Sequence, residues 1–474
     1  MKKTGIHTEG TPSRGGKGFM LETIMSVNSF VNGIVWGPPM LLLLIGTGIL
    51  LTVRSGFLIQ IRKFGTVMKH TAGSLFGPDA HKKGESGVTP FQAVATALAS
   101  TVGTGNITGV ATAITVGGPG AVFWMWVSAF FGMMTKYAEV LLAVKFREKN
   151  ELNEWVGGPM YYIEKGLGWK WLAVIFAVFA AVASFGIGNI AQSNSIANAV
   201  NQVTGISPLV IGVVTAVAVA CVILGGIGRI AQVTEKLVPF MGLFYVILGV
   251  VTLAMNFAQL PEAFKLIFWC AFNPEAAVGG AFGYTMMLAI RYGFARGVFS
   301  NEAGLGSAPI AHAAANTDSP VKQAFWGAFE VFFDTFIICT ITGLVVVSSG
   351  MWSSDLQGTA LTIAAFGNST GAMGEWMITI ATILFAFSTI LGWSYYGEKA
   401  IEYLFKGTAA VGGVKLAYRL AFVVMTVFGA VGSLTLVWDI ADTLNGLMAI
   451  PNLIGLVGLS GIVVKLTKEY FEKN

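Results

Sequence analysis

Charge is what this chain has least of. Only 11% of its 474 residues are charged, against about 25% in a typical soluble domain. That excludes an ordinary water-facing surface. The net charge of +5 is small for the length and calls for no nucleic-acid partner. Cysteine is nearly absent: Cys221, Cys270 and Cys339 stand isolated in apolar segments. With no C-x-x-C pair and no even framework, neither a disulfide scaffold nor a zinc site is indicated. The four histidines are His7, His70, His81 and His312. At most one falls in an apolar segment, which excludes a haem held between two membrane histidines.

Apolar residues take the place of charge. They make up 54% of the chain, with 60 glycines scattered among them rather than in a fixed period. Glycine is frequent in transmembrane helices because small residues let helices approach closely. The composition indicates an all-α polytopic membrane protein. A span needs about 20 mostly apolar residues. By this measure eleven are expected, near 34–53, 90–115, 119–144, 170–192, 206–225, 236–256, 278–312, 323–348, 376–404, 414–433 and 436–466.

Basic residues alternate between the loops. Arg54, Arg62, Lys63, Lys69, Lys82 and Lys83 fill one loop; 116–118 has none, and the alternation continues to Lys465, Lys468 and Lys473. Positive charge stays on the cytoplasmic side, so loop 54–89 and the C-terminus are expected there, in a prokaryotic cytoplasmic membrane, with the N-terminus outside. The tail dissents, because it carries Lys2, Lys3, Arg14 and Lys17. It is polar and glycine-rich, so residues 1–33 are expected to be flexible, and no removable signal peptide is read in them. Translation starting at Met20 is an alternative.

Two apolar segments are interrupted. In TALASTVGTGNITGVATA (residues 96–113), the run Val102-Gly103-Thr104-Gly105-Asn106 is a weak helix former. In AIRYGFARGVFSNEAGLGSAPIAHAAA (residues 289–315), Gly293, Gly297, Gly304 and Gly306 punctuate a segment that also holds Arg291, Arg296 and Glu302. Four further spans follow each interruption. After the first span, the chain therefore divides five plus five, the second half entering from the opposite side. The expected division is 1–33, a tail; 34–89, an extra helix and loop; 90–257, the first repeat; and 258–474, the inverted second repeat and C-terminal tail. Inverted repeats with discontinuous helices mark secondary transporters. A break within the bilayer frees backbone groups that must find partners. Freed N–H groups at a half-helix N-terminus suit a carboxylate, and freed carbonyls at a C-terminus suit a cation. The plainer alternative is that the glycines serve only close packing. A phosphate loop fits poorly, since the glycine spacing is wrong and no lysine follows.

The stretches ALASTVGTGNITGVATAITVGGPGAVFWMWVSAFFGMMTKYAEV, RYGFARGVFSNEAGLGSAPIAHAAA and VWDIADTLNGLMAIPNLIGL resemble the alanine or glycine:cation symporter family. The likeness runs from about Val35 to Lys468. It implies a leucine-transporter-like fold and sodium-driven uptake of alanine or glycine by alternating access, in contact with membrane lipid. It implies no covalent chemistry and no prosthetic group. Carried over by position, the resemblance gives the N–H groups of Thr104 and Gly105 to the substrate carboxylate and the Thr101 carbonyl to its ammonium. It gives Thr101 and the Asn106 side chain to one sodium ion. It gives the carbonyls of Ala99 and Val102, with the hydroxyls of Ser388 and Thr389, to another.

Trp393 lies one turn beyond Thr389 and is expected to line the pocket, the alternative being an interfacial anchor. Asn189, Gln192 and Asn194 cluster at what reads as a helix end; Gln192 is the expected substrate contact, unless the cluster only marks that end. Phe299 is expected to face the site from the second break. Glu330 and Asp334 stand four apart. They are read either as ion-pair partners of Arg291 or Arg296 or as a proton relay. Lys136 and Glu139, and Asp439 and Asp442, are read as structural pairs or cavity walls. The competing functions are a proton-coupled transporter using Asp334 or Glu330 and, more remotely, an intramembrane enzyme. An ion channel lacks a filter of repeated loops.

Overall fold

The computed structural model describes residues 16–75, 77, 88–273, 286–432 and 434–473. The chain begins with helices α1 (Gly16–Val35), α2 (Pro38–Arg54) and α3 (Phe64–His70). An interrupted helix follows as α4 (Pro90–Thr101) and α5 (Thr108–Gly117), then α6 (Gly120–Lys145) and the short α7 (Pro159–Tyr162). The middle of the chain holds α8 (Lys170–Phe185), α9 (Ala191–Thr204), α10 (Pro208–Ile223), α11 (Gly226–Met255) and α12 (Leu260–Phe272). A second interrupted helix is α13 (Met286–Asn301) and α14 (Ala308–His312). The remainder is α15 (Pro320–Val331), α16 (Thr340–Ser348), α17 (Gly358–Thr370), α18 (Ala372–Leu404), α19 (Val411–Val431) and α20 (Leu434–Lys473).

Among the described residues, eight helical segments are long and apolar enough to cross a membrane. Pro208–Ile223 is apolar but shorter, and the two interrupted helices are divided by their breaks. Apolar side chains face outward on α10 (Val213, Val214, Val217), α11 (Phe240, Leu243, Ile247) and α19 (Leu420, Val424, Phe428). Such continuous apolar faces suit lipid and not water.

Local sequence explains where the broken helices begin. Thr89 caps α4: its hydroxyl accepts from the Gln92 N–H and its own N–H donates to Gln92 Oε1, both at 3.1 Å. With Pro90 behind it, this is a capping box. At α15 Ser319 precedes Pro320 and its hydroxyl accepts from the Lys322 N–H at 3.3 Å, a simple N-cap without the return bond.

Three sequence expectations change. The tail is helical over Gly16–Val35 rather than flexible, and α1 packs along α20. Asn32 Nδ2 donates to Thr443 Oγ1 at 3.2 Å, and Trp36 Nε1 donates to the Asp442 carbonyl at 2.8 Å. These tertiary anchors are invisible in the tail's own composition. Residues 1–15 of that expectation, and 278–285 of the seventh span, lie outside the described residues. The span that begins at 170 runs on to Thr204, through a π-helical turn at Gly186–Ile190. Asn189, Gln192 and Asn194 are therefore in mid-helix, not at an end.

The helices form two groups around the breaks. In one, α6 packs against α13 and α15; in the other, α18 packs against α8, α9 and α19, and α10 against α19. The interrupted helices cross in opposite directions, α4 against α14 and α5 against α13. Their shared end is tied by backbone: Val88 N–H donates to the Ala314 carbonyl at 3.2 Å, and Asn316 N–H to the Val88 carbonyl at 2.9 Å.

Candidate functional site

The first break spans Val102 to Ile107. Val102 and Gly103 are extended, and Thr104–Asn106 form one tight helical turn before α5 resumes. Freed backbone groups are partly paired by nearby side chains. Gly103 N–H donates to Asn106 Oδ1 at 2.9 Å, and Thr104 N–H donates to Gln192 Oε1 at 3.2 Å. The Asn106 carbonyl accepts from Thr342 Oγ1 at 2.6 Å. Glycine is needed here for space. A Cβ on Gly105 would lie 2.9 Å from the Ser300 backbone, and one on Gly103 would overlap the Thr389 hydroxyl.

Several predicted residues do converge. Ser388 Oγ and Thr389 Oγ1 each donate to the Ala99 carbonyl at 3.1 Å. Ala99, Ser388, Thr389 and Val102 are all buried. This is a set of neutral oxygens beside the end of α4, hard donors that suit an alkali cation. Thr101, Thr104, Gln192 and Phe299 are buried around the same break, and the Phe299 ring lies 3.2 Å from the Cβ position of Gly105. Among the described residues, the buried Thr104 hydroxyl has no hydrogen-bond partner. Trp393 is buried against Gly188, and its Nε1 donates to Glu302 Oε1 at 2.7 Å. Asn189 and Asn194 point elsewhere, donating to carbonyls of 422, 429 and 432.

The expected pairing of Glu330 and Asp334 with Arg291 or Arg296 is not what the structure holds. Arg296 makes a two-pronged pair with Asp442, at 2.7 and 2.6 Å. Glu330 instead meets Lys136 at 3.5 Å and His312 at 2.7 Å. Asp334 accepts from Asn106 Nδ2 at 2.6 Å, Ser300 Oγ at 3.1 Å and Thr335 Oγ1 at 2.9 Å. Arg296 is occupied by Asp442, while α6 and α14 supply the partners of Glu330 and the first break and α13 supply partners of Asp334.

Two site residues were legible only as span-end pairs. Lys136 Nζ donates to the Asn301 carbonyl at 2.8 Å and to Thr101 Oγ1 at 3.3 Å. Thr101 and Asn301 are the last residues of α4 and α13, so one ammonium meets the negative ends of both half-helices. Glu139 Oε1 accepts from Gly304 N–H at 3.0 Å, Gly306 N–H at 3.1 Å and Asn452 Nδ2 at 2.6 Å. The N–H groups freed by the second break are thus served by a resident carboxylate. Glu302, Gly304 and Gly306 there all have positive φ. A polar residue inside an apolar run was the available signal; its partners, from 35 to 313 residues away, were not.

A helical bundle, carrying one short antiparallel pair at Glu148–Lys149 and Trp155–Val156, with two interrupted, oppositely directed helices whose breaks meet at its centre, defines a secondary transporter with the leucine-transporter fold. Its architecture is similar to that of a solved structure described as MhsT in complex with L-phenylalanine. The TM-score is 0.56 at 14% identity, covering 80% of this chain and 98% of that one. The sodium:alanine symporter family model matches residues 21–474, and the chain belongs to that family. It is 52% identical to the sodium/alanine symporter AgcS of Methanococcus maripaludis, over 94% of this chain and 97% of the relative. It is 37% identical to a Bacillus subtilis protein described as the probable sodium/glutamine symporter GlnT, over 95% of this chain and 91% of the relative. The protein is accordingly a sodium-coupled amino-acid transporter and not an enzyme.

Proposed function

We propose that the transported amino acid is alanine or glycine and that it enters with sodium by alternating access. The observation that carries this reading is the meeting of Ser388 and Thr389 with the Ala99 carbonyl at 3.1 Å, next to the first break. Sodium would be held by the Ala99 and Val102 carbonyls and the two hydroxyls. The substrate carboxylate would take the N–H groups of Thr104 and Gly105, releasing Gln192 Oε1 from Thr104. The freed Gln192 amide and the Thr101 carbonyl would then meet the ammonium. Phe299 and Trp393 would bound the small side chain. Asn106 Oδ1 already accepts from Gly103 N–H, so a second ion there would have to displace that bond. The halves 90–257 and 258–474 would move as inverted units, with the C-terminus in the cytoplasm of a prokaryotic cell.

The test is counterflow of labelled alanine in liposomes, with sodium replaced by choline at fixed pH. Exchange should fall to background without sodium. Undiminished exchange would refute sodium coupling and favour a proton bound at Asp334. Thr389→Val should raise the sodium concentration needed for half-maximal exchange; an unchanged requirement removes Thr389 from the ion site.

A further inference from the structure

The resemblance gives two sodium ions to the first break, one of them to Thr101 and Asn106. The oxygens of that second place already have donors from the chain itself. Thr101 Oγ1 donates to the Ala97 carbonyl at 2.9 Å and accepts from Lys136 Nζ at 3.3 Å. Asn106 Oδ1 accepts from Gly103 N–H at 2.9 Å, and Asn106 Nδ2 turns to Asp334 Oδ1 at 2.6 Å. Across from them, the Asn301 carbonyl accepts from Lys136 Nζ at 2.8 Å. The Asn301 side chain is engaged by Thr335 Oγ1 and the Ala303 N–H. The set beside Ala99 differs. There Ser388 Oγ and Thr389 Oγ1 donate to the Ala99 carbonyl, and each hydroxyl keeps lone pairs that an ion can use.

Lys136 therefore holds a place with the charge of an ion site. A helix C-terminus carries about half a unit of negative charge. Thr101 ends α4 and Asn301 ends α13, so two such ends meet at one Nζ. Glu330 adds a carboxylate at 3.5 Å. An ammonium has three donors and no acceptor, which matches one hydroxyl, one carbonyl and one carboxylate. Lys136 is 0% exposed. Its charge equals that of a sodium ion, but it is fixed to α6. A transported ion is dehydrated and released in every cycle; a tethered one is dehydrated once, on folding, and adds nothing to the driving force.

We propose that the Lys136 ammonium is a tethered cation that occupies the place of a second transported sodium, so that this transporter carries one sodium ion per amino acid. This rests on the sodium and amino-acid site proposed above, and it assigns the coupling ratio of that site to a named side chain.

The first test is the alanine gradient that stops net flux. Liposomes holding the full chain are given tenfold more sodium outside, with the membrane potential held at zero. Because the driving force is logarithmic in concentration, an opposing alanine gradient of about tenfold halts a carrier of one sodium, and about a hundredfold halts a carrier of two. About tenfold is expected; about a hundredfold overturns the proposal. A flux indifferent to the sodium gradient would instead refute the coupling beneath it. The second test is Lys136→Ala, which leaves Glu330 and both helix ends without the ammonium. Sodium should then take its place. The unfolding temperature of the variant in detergent should rise with sodium more steeply than that of wild type, with no such rise in choline. Lys136→Ala with Glu330→Gln should lose the extra rise. Equal sodium responses in wild type and Lys136→Ala overturn the proposal, since the ammonium would then hold no ion's place. The wild-type gradient decides the ratio even where the alanine variant does not fold.

Discussion

Lys136 gives the sharpest energetic prediction. Its ammonium is fully buried, 2.8 Å from the Asn301 carbonyl, 3.3 Å from the Thr101 hydroxyl and 3.5 Å from Glu330. Gln323 Nε2 lies 2.9 Å from His312 Nδ1, and His312 Nε2 lies 2.7 Å from Glu330 Oε1. Among the described residues, Lys136 is the lysine or arginine paired with Glu330. Lys136→Met keeps the length of the side chain but strands a buried carboxylate, which costs about 3–5 kcal/mol. Removing Glu330 as well, as Lys136→Met with Glu330→Gln, abolishes the stranded charge. What remains is the loss of the bonds to Asn301 and Thr101, about 1–3 kcal/mol. The double variant should therefore be more stable than Lys136→Met alone, although it carries one more change. The assay is thermal unfolding of purified protein in detergent, followed by intrinsic tryptophan fluorescence, for both singles and the double. A double variant destabilised by the sum of the two singles would refute the assignment of Lys136 and Glu330 as one charged unit.

Three further predictions concern Gly103, Glu139 and Glu148, the last paired with Lys165 and Lys406. Gly103→Ala has an ordinary extended backbone but pushes its methyl into the Thr389 hydroxyl; overpacking of this kind costs about 1–3 kcal/mol, and it should raise the sodium requirement of alanine exchange. An unaltered sodium curve would place the ion elsewhere. Glu139→Gln preserves an acceptor for Gly304, Gly306 and Asn452, whereas Glu139→Ala leaves the Gly304 and Gly306 N–H groups unmatched and Asn452 Nδ2 with only the Gly304 carbonyl. The alanine variant should unfold at a clearly lower temperature than the glutamine variant, and equal unfolding temperatures would mean that the second break does not depend on that oxygen. In the loop after α6, burial tends to raise the Glu148 carboxyl, but Lys165 and Lys406 outweigh it and hold it below the usual range. A depressed folded value means that this stabilisation is complete above the ordinary carboxylate pKa of about 4.3 and is lost as pH falls through the folded value. Glu148→Gln should flatten the acid side of the stability profile; identical profiles would show that the ties contribute nothing.

What the sequence made legible was the composition of each segment and the position of each flaw in it. The break at Val102–Asn106, and the presence of a second one within residues 289–315, were readable because glycine and polar residues interrupt apolar runs; that α13 runs through Gly293 and Gly297 to Asn301 was not. Ser388 and Thr389 were reached by resemblance and do meet the Ala99 carbonyl. Partner choice was not readable. The spacing of Glu330 and Asp334 was legible, but not that Lys136 and His312 meet the one while Asn106 and Ser300 meet the other. The turn at Gly186–Ile190 has no composition of its own, so a helix that continues to Thr204 read as one that stopped. The helix at Gly16–Val35 owes its place to Asn32 and Trp36 bonding to a segment some 400 residues later.

The bridge of Val88 to Ala314 and Asn316 bears on how the molecule can move. It fastens the start of one broken helix to the exit of the other by main-chain bonds, which no substitution other than proline at 88 or 316 removes. The half-helices α4 and α14 are thereby leashed at one face of the bundle, while α5 and α13 have no such main-chain tie among the described residues. A gate at the leashed face would have to swing α4 and α14 together as a single leaf. At the opposite face, α5 and α13 are free to part, so the two openings need not be mirror images even though the halves are arranged as if they were.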